Sequence, residues 1–162
     1  MRPAPDQHAP VTNANNEKLI LRPTLGATEY PRLVDIWRSA VRATHDFLAE
    51  EDFTRIEGNL VRHYFPAVSL LVAEIDGVPV GFAGTAEGNL EMLFVSDDVR
   101  GQGIGTALLD AVIANDGVVK VDVNEQNTGA TGFYLSKGFE LVSRSDVDDD
   151  GRPYPVLHLR LA

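Results

Sequence analysis

The chain has 162 residues, of which 44% are hydrophobic, and this is enough to build the core of a single domain. Its 24 acidic residues outnumber 14 basic ones, and the formal net charge of -10 argues against a surface that binds nucleic acid or anionic lipid. Because the chain contains no cysteine, disulfide bonds, thiolate metal ligands and thiol catalysis are excluded.

The first 17 residues differ in composition from the rest of the chain. They are rich in Pro, Asn and Ala and contain no apolar segment typical of a signal peptide or membrane anchor. We therefore interpret residues 1–17 as a disordered tail and residues 18–162 as one domain. The apolar runs in that domain are shorter than the roughly 20 residues of a membrane helix, so we expect a cytoplasmic protein without a membrane partner.

The first half of the domain alternates between strand and helix patterns. Residues 18–24 predict a strand, and apolar residues at helical spacing from Tyr30 to Val41 predict an amphipathic helix. A second helix is outlined by Phe53, Ile56, Leu60 and Tyr64. Three strand-like segments follow within residues 69–95, and Asp76-Gly77 between the first two is a strong hairpin signal. These three strands are expected to form an antiparallel meander.

The second half predicts a crossover and a closing hairpin. A third helix begins near Ile104 and ends near Gly117, a fifth strand spans residues 118–123, and a fourth helix precedes a hairpin around Asp150-Gly151. The fold class is α/β, with a mixed, largely antiparallel sheet of about seven strands flanked by about four helices. Since a strand, helix and strand crossover is right-handed, strands four and five should be parallel neighbours.

A glycine-rich loop, RGQGIGT at residues 100–106, leads into the third helix. The N-terminus of a helix leaves backbone N–H groups unsatisfied, so a loop without side chains there can bind an anion such as phosphate. A P-loop is excluded because no lysine precedes Thr106, and glycines at 101, 103 and 105 do not have the dinucleotide-binding spacing. A turn that only packs a strand against a helix is the remaining alternative.

Two motifs resemble those of the GCN5-related N-acetyltransferase (GNAT) family. Arg100 to Gly105 matches Q/R-x-x-G-x-G/A, the loop that binds the acyl-CoA pyrophosphate, and NTGATGFYLSKGF at residues 127–139 resembles N-x-x-A-x-x-x-Y-x-x-x-G-F. The similarity covers residues 18–162, and several stretches further resemble a small bacterial subgroup. The resemblance implies a GNAT fold in which strands four and five splay apart at the acyl-CoA site.

The resemblance also implies a set of contacts with acetyl-CoA as the acyl donor. Backbone amides of residues 101–106 would hold the pyrophosphate, and the last part of strand four would pair with the pantetheine arm. Asn127 would contact the pantetheine amides, with capping of the fourth helix as the alternative. The cofactor-binding residues so implied are Leu93, Phe94, Val95, Arg100, Gly101, Gln102, Gly103, Ile104, Gly105, Thr106, Asn127 and Tyr134.

Attack of an amine on a thioester requires a proton for the leaving thiolate and a route for the amine's proton. Tyr134 matches the tyrosine that serves as general acid in the family, with a packing tyrosine as the alternative. For the base, Asp122, Glu91 and His45 are all candidates, and a water relay that needs no base is a further possibility. An oxyanion donor is expected among the backbone N–H groups around Phe94 or Val95.

We therefore expect an acetyl-CoA-dependent N-acetyltransferase that transfers acetyl directly to a primary amine of a small molecule or peptide. The alternative function is a non-catalytic acyl-CoA-binding module. The acidic stretch DVDDDG at 146–151 lacks the spacing of a calcium loop and is interpreted as a solvated hairpin, so no metal is assigned. The sequence leaves open both the acceptor and the choice between monomer and homodimer.

Overall fold

The computed structural model describes residues 18–162 in full and, of the segment before them, the backbone of residues 10–12. Among these residues, eight strands form one sheet: β1 (Pro10–Thr12), β2 (Lys18–Pro23), β3 (Ser69–Ile75), β4 (Val78–Ala86), β5 (Asn89–Val95), β6 (Lys120–Asn124), β7 (Phe139–Ser145) and β8 (Val156–Leu161). The α-helices are α1 (Tyr30–Thr44), α2 (Glu50–Asn59), α3 (Ile104–Asp116) and α4 (Thr128–Ser136).

The strand order is β1-β2-β3-β4-β5-β6-β8-β7. Neighbouring strands are antiparallel except β5 and β6, which are parallel. These two are the strands four and five of the sequence analysis, so the predicted mixed sheet and its parallel pair are confirmed. They pair only at Asn89 with Lys120 and at Leu90 with Val121, after which the two strands diverge.

Most of the predicted tail lies outside the described residues. Pro10–Thr12, within that segment, adds an edge strand that pairs antiparallel with β2, with Pro10 opposite Ile20. The expectation of disorder for the rest of the tail stays a prediction.

The hairpin turn and the helix cap that the sequence predicts are both present in the structure. Asp76 and Gly77 both have positive φ, 52° and 81°, which is the conformation that a tight hairpin between β3 and β4 requires. Gly117 ends α3 in the left-handed conformation. The second predicted helix differs in its last part, because α2 ends at Asn59 and residues 60–64 continue as one wide π turn.

Two hydrophobic clusters cover the two faces of the sheet, since successive side chains of a strand point to opposite faces. Along β3, Leu71 and Ala73 belong to the cluster that includes the buried residues of α3, whereas Val72 packs with Trp37 of α1 on the other face. The helices thus sandwich the sheet, with α3 on one face and α1 on the other. Within the described part of the chain, no helix has the length and apolar character needed to span a membrane.

Candidate functional site

The glycine loop presents bare backbone at the start of α3. Gly101 and Gly103 have φ of 81° and 82°, a left-handed conformation that favours glycine. A Cβ atom at either position would meet no other atom within 4 Å, so packing does not explain these two glycines. Gly103 is the N-cap of α3, and the free N–H groups of the first turn lie beside this open space. The arrangement can bind an anionic group.

The loop lies close to the end of β5 and to α4. A Cβ atom on Gly105 would lie 3.8 Å from Cζ of Phe133 in α4 and 3.9 Å from Cγ2 of Val95 in β5. The two sequence motifs therefore meet in space, although Gly105, the last residue of the first, and Asn127, the first residue of the second, are 22 residues apart. Their meeting point is the open end of the gap between β5 and β6.

The edge of β5 that faces this gap carries backbone groups without partners from β6. On its other side β5 pairs with β4, where Leu93, Phe94 and Val95 lie opposite Ala83, Phe82 and Gly81. On the gap side the ladder to β6 stops at Leu90. An extended chain with amide groups can pair with such an edge as an additional strand.

Tyr134 of α4 lies in the core on the α3 face of the sheet. Its side chain is 6% exposed and its ring contacts Phe133 and Phe139 at centroid distances of 5.3 and 5.8 Å. Burial raises the pKa of Tyr134 well above its ordinary value, so the hydroxyl keeps its proton at neutral pH. The packing alternative is therefore observed, and it is compatible with a role as proton donor.

Asn127 caps α4. Its side-chain oxygen accepts a hydrogen bond from the backbone N–H of Ala130 at 3.1 Å. The capping alternative is thus the one observed, and contact of Asn127 with the cofactor stays a prediction.

An acidic cavity of about 490 Å³ lies on the α1 face of the sheet, opposite the glycine loop. We call it the acidic pocket, and all of its charged lining residues are carboxylates: Glu91, Asp122, Asp148, Asp149 and Asp150. Its apolar wall includes Trp37, Ile56, Met92 and Phe94. Since Phe94 also lies on the open part of β5, the pocket reaches the gap from the side opposite to the glycine loop.

Glu91 enters this pocket because of a bulge in β5. Gly84 of β4 pairs with Met92 and Thr85 pairs with Leu90, so Glu91 is an extra residue between two ladder positions. Partial burial raises the pKa of Glu91, and the negative charges of Asp122 and Asp149 raise it further. The carboxyl of Glu91 therefore loses its charge at a higher pH than an ordinary glutamate.

Asp122 is linked by hydrogen bonds to two residues outside both motifs. Oδ1 of Asp122 lies 2.7 Å from Nδ1 of His158, and Nε2 of His158 lies 2.7 Å from Oγ of Ser145. Asp122 alternates with buried Val121 and Val123 along β6, as its predicted position on the Lys120 side of the strand requires. Asp122 is thus the one of the three base candidates with an imidazole directly behind it.

His45 lies in a smaller neighbouring cavity of about 160 Å³, which it shares with Trp37 and Tyr154. Its Nδ1 lies 2.8 Å from the hydroxyl oxygen of Thr44. Burial lowers the pKa of His45, although the charge of Asp46 acts in the opposite direction. Glu91 and Asp122 therefore share one pocket, and His45 lies apart from them.

The loop between β7 and β8 forms the acidic wall of the pocket. Arg55 of α2 pairs with Asp150 at 2.7 Å, and the Tyr154 hydroxyl donates a hydrogen bond to Asp52 of α2. The interpretation of this loop as a solvated hairpin is therefore incomplete, because its aspartates also line the acidic pocket. Within residues 18–162, no group of three or more His, Asp or Glu side chains is arranged to hold a metal ion.

Four residues at or behind the acidic pocket were not predicted as site residues from the sequence: Asp148, Asp149, His158 and Ser145. His158 was predictable in part from the sequence. If the strand that contains Asp122 is paired with the last strand, the side chains of Asp122 and His158 lie on one face of the sheet. No local signal places the aspartates at a pocket formed by distant helices.

Comparison with known proteins places these features in context. Residues 40–155 match the acetyltransferase (GNAT) domain. The peptidyl-lysine N-acetyltransferase YjaB of Salmonella typhimurium is 44% identical over 132 residues, which cover 81% of this chain and 90% of that protein.

Solved structures agree with this match. The solution structure of apo-form YjaB from Escherichia coli has a TM-score of 0.80 and 40% identity, covering 89% of this chain and 97% of that one. The structure of YncA from Salmonella typhimurium with its cofactor acetyl-CoA has a TM-score of 0.66 at 21% identity, covering 88% of this chain and 92% of that one. At that identity, the likeness to YncA shows the fold alone.

Proposed function

Because the chain belongs to the GNAT family of acetyltransferases, we propose that it transfers an acetyl group from acetyl-CoA to the side-chain amine of a lysine in a peptide. The observation that carries this proposal is the position of the gap between β5 and β6. A bare helix N-terminus opens onto it from one face, and a pocket whose charged groups are all acidic reaches it from the other.

The glycine loop side suits the acyl donor. Gly101 and Gly103 leave room for phosphate oxygens beside the N–H groups of α3, whose partial positive charge favours an anion. The open edge of β5 from Leu93 to Val95 offers backbone partners to the amides of a pantetheine arm. Arg100, Gln102, Ile104 and Thr106 complete the proposed contact segment.

The acidic pocket suits a lysine as the acceptor. A lysine side chain carries an ammonium group on an apolar stem, and the pocket combines carboxylates such as Glu91 and Asp149 with an apolar wall that includes Trp37 and Met92. The carboxylates attract the ammonium group and orient it toward the gap. The similarity to YjaB, which is named a peptidyl-lysine N-acetyltransferase, supports the same choice of acceptor.

In the proposed reaction, one proton transfer takes place on each face of the sheet. On the acceptor side, Asp122 takes a proton from the ammonium group, and the neutral amine attacks the thioester carbonyl. A backbone N–H near Phe94 or Val95 stabilises the oxyanion that forms. On the donor side, Tyr134, whose raised pKa keeps its hydroxyl protonated at neutral pH, gives that proton to the departing thiolate.

The alternative function is a non-catalytic acyl-CoA-binding module. The 44% identity to a named N-acetyltransferase confirms the enzyme assignment. Because the chain contains no cysteine, the acetyl group cannot pass through a covalent intermediate on a cysteine.

The test is release of CoA thiol from acetyl-CoA in the presence of a peptide that has a blocked N-terminus and a single lysine. The protein contributes no thiol background because it lacks cysteine. We expect release that saturates with peptide, and mass spectrometry should locate the acetyl group on the lysine amine.

Two matched peptides serve as controls. One replaces the lysine with norleucine, and the other lacks lysine but has a free N-terminal amine. Release with the second control and not with the lysine peptide would contradict the proposed acceptor and assign an α-amine instead.

A further inference from the structure

The acidic wall of the pocket is a small turn that is held together by one of its own side chains. Oδ1 of Asp148 accepts hydrogen bonds from the backbone N–H groups of Asp150 and Arg152, at 3.0 and 2.9 Å. The backbone N–H of Asp148 donates in turn to the carbonyl oxygen of Arg152 at 3.0 Å. We call residues 148–152 the acidic turn, and these bonds fix its internal shape.

A buried carboxylate on α2 connects this turn to the rest of the protein. Asp52 is 4% exposed, and its Oδ2 accepts a hydrogen bond from the Tyr154 hydroxyl at 2.5 Å. Oδ1 of Asp52 lies 3.6 Å from Nε of Arg152. It also lies 3.4 Å from Nη2 of Arg55, whose Nη1 binds Asp150 at 2.7 Å. Asp52 thus contacts two residues of this segment and reaches a third through Arg55, although it does not itself line the pocket.

These side-chain contacts set where the acidic turn lies. Residues 146–155, between β7 and β8, form no helix or strand, so no backbone ladder holds them over the sheet. The Tyr154 hydroxyl also accepts a hydrogen bond from the backbone N–H of Ala49, the N-cap of α2, at 3.1 Å. A carboxylate as buried as Asp52 costs free energy unless donors surround it, and here a hydroxyl and two guanidinium groups do so.

The acidic turn brings an unbound carboxylate to the pocket. Three of the five carboxylates that line the pocket already bind other groups of the protein: Asp122, Asp148 and Asp150. Within residues 18–162, the side chains of Glu91 and Asp149 have no hydrogen-bond or ion-pair partner. The charge of Asp149 helps to raise the pKa of Glu91, so the two carboxylates are close enough to interact. An ammonium group between them would be attracted by both.

We propose that Asp52 is a positioning residue for the acceptor, which holds the acidic turn so that Asp149 lies across the pocket from Glu91. This inference rests on the proposed function, in which the lysine ammonium group binds in this pocket. Asp52 does not touch the substrate and takes no part in the proton transfers. Its contribution is to the affinity for the peptide.

The first experiment compares steady-state kinetics of Tyr154→Phe with the wild type on the blocked lysine peptide. The variant keeps the ring and removes the hydroxyl that Asp52 binds. We expect the KM for the peptide to rise about 2- to 5-fold, the effect of one partly exposed charge pair, with kcat and the KM for acetyl-CoA unchanged. Loss of folded enzyme would instead lower kcat and leave both KM values as they are.

Two further variants complete this comparison. Asp52→Asn should show the same rise in the peptide KM. If it fails to fold, Tyr154→Phe still tests the proposal, because that variant leaves the charge of Asp52 paired with Arg55 and Arg152. Tyr30→Phe, on a ring that packs against Phe65, should behave like the wild type.

A double-mutant cycle tests whether the acidic turn acts through Asp149. Asp149→Asn alone should raise the peptide KM about 2- to 5-fold. Asp146→Asn is the matched control, since this aspartate of the same segment pairs with Arg144 and does not line the pocket. If Tyr154 acts by placing Asp149, the Tyr154→Phe/Asp149→Asn double variant should have a peptide KM no higher than that of the weaker-binding single variant.

The outcomes separate this inference from the proposed function. An unchanged peptide KM in Tyr154→Phe, alongside an active wild type, would overturn the positioning of the turn and leave the proposed function intact. Effects of the two substitutions that multiply in the double variant would overturn it too, because Tyr154 and Asp149 would then act independently. A wild type that releases no CoA with lysine peptides would overturn the proposed function and this inference together.

Discussion

Tyr134 combines two properties at the scale of the single residue. Its ring packs in the core against Phe133 and Phe139, and its hydroxyl holds its proton because burial raises its pKa. Packing fixes where the hydroxyl lies, and the raised pKa keeps it protonated, and so able to donate a proton, at neutral pH. The packing and catalytic interpretations of this residue are therefore not exclusive.

Replacing Tyr134 with Phe removes the hydroxyl and keeps the ring. We expect kcat to fall about 100-fold, in line with loss of a general acid, while acetyl-CoA binding by calorimetry stays unchanged. Tyr30→Phe is the matched control, since Tyr30 packs against Phe65 in the other cluster. A Tyr134→Phe variant with normal turnover would remove Tyr134 from the proton step.

Glu91 gives a prediction for pH dependence. Because partial burial and the charges of Asp122 and Asp149 raise its pKa, its negative charge disappears at a higher pH than that of ordinary glutamates. The KM for the lysine peptide should therefore rise as pH falls through the raised pKa of Glu91. In Glu91→Gln the KM should already be raised several-fold at neutral pH and should change less with pH over that window, whereas Glu140→Gln on β7 should behave like the wild type.

Thermal unfolding checks the same pKa without substrate. A carboxyl whose pKa is higher in the folded state favours folding below its unfolded-state pKa, and this contribution is lost as pH rises through the folded-state pKa. Glu91→Gln should therefore gain Tm relative to the wild type as pH rises across this range. An identical pH dependence of Tm in both proteins would contradict a raised pKa for Glu91.

At the scale of the element, α3 joins a bare N-terminus to a strand end. The helix begins after Gly103 in the left-handed conformation and ends before Gly117 in the same conformation. Both glycines are conformationally required, and a Cβ at either would meet open space. Only the N-terminal one lies beside the free N–H groups of the first turn, where an anion is proposed to bind.

Because Gly103 and Gly117 have the same conformation at opposite ends of α3, they provide a matched pair of variants. Gly103→Glu adds a negative side chain where the pyrophosphate is proposed to bind, so acetyl-CoA binding measured by calorimetry should be lost. Gly117→Glu carries the same strain and charge at the opposite end of the helix and should bind acetyl-CoA normally. Circular dichroism should show both variants folded, and equal binding by the two would contradict the assignment of the loop.

The elements themselves were largely predictable. The spacing of apolar residues predicted the four helices and the strands from β2 to β8, and Asp76-Gly77 predicted the first hairpin. These elements were predictable because such patterns depend on local backbone geometry. The π turn at residues 60–64 and the bulge at Glu91 were not predicted. Each depends on how an element meets its neighbours, which no local pattern contains.

At the scale of the whole molecule, the net charge of -10 and the acidic pocket act in the same direction. A negative protein attracts cationic substrates over distances comparable to the Debye length. In the proposed reaction, the carboxylates of the pocket then hold the ammonium group at short range. The negative charge that argues against nucleic-acid binding is thus also one that favours a cationic acceptor.

Salt should therefore weaken encounter with cationic peptides. Raising ionic strength from about 0.01 to about 0.15 M shortens the Debye length from about 30 to about 8 Å, and kcat/KM for a lysine peptide with arginine neighbours should fall several-fold. The same lysine between glutamates should show a smaller or opposite change. Equal salt dependence for the two peptides would exclude electrostatic steering.

The sequence by itself determined the features that depend on local chemistry. Composition excluded thiol chemistry, the glycines at 101, 103 and 105 marked an anion site at a helix start, and two spaced motifs indicated the family. Tertiary structure decided the acceptor side, because Asp148, Asp149 and His158 reach Asp122 or its pocket only through the order β6-β8-β7 and the attachment of their loop to α2. The proposed donor site is built largely from one continuous loop, whereas the proposed acceptor site is built from residues far apart in the chain, and only folding brings such residues together.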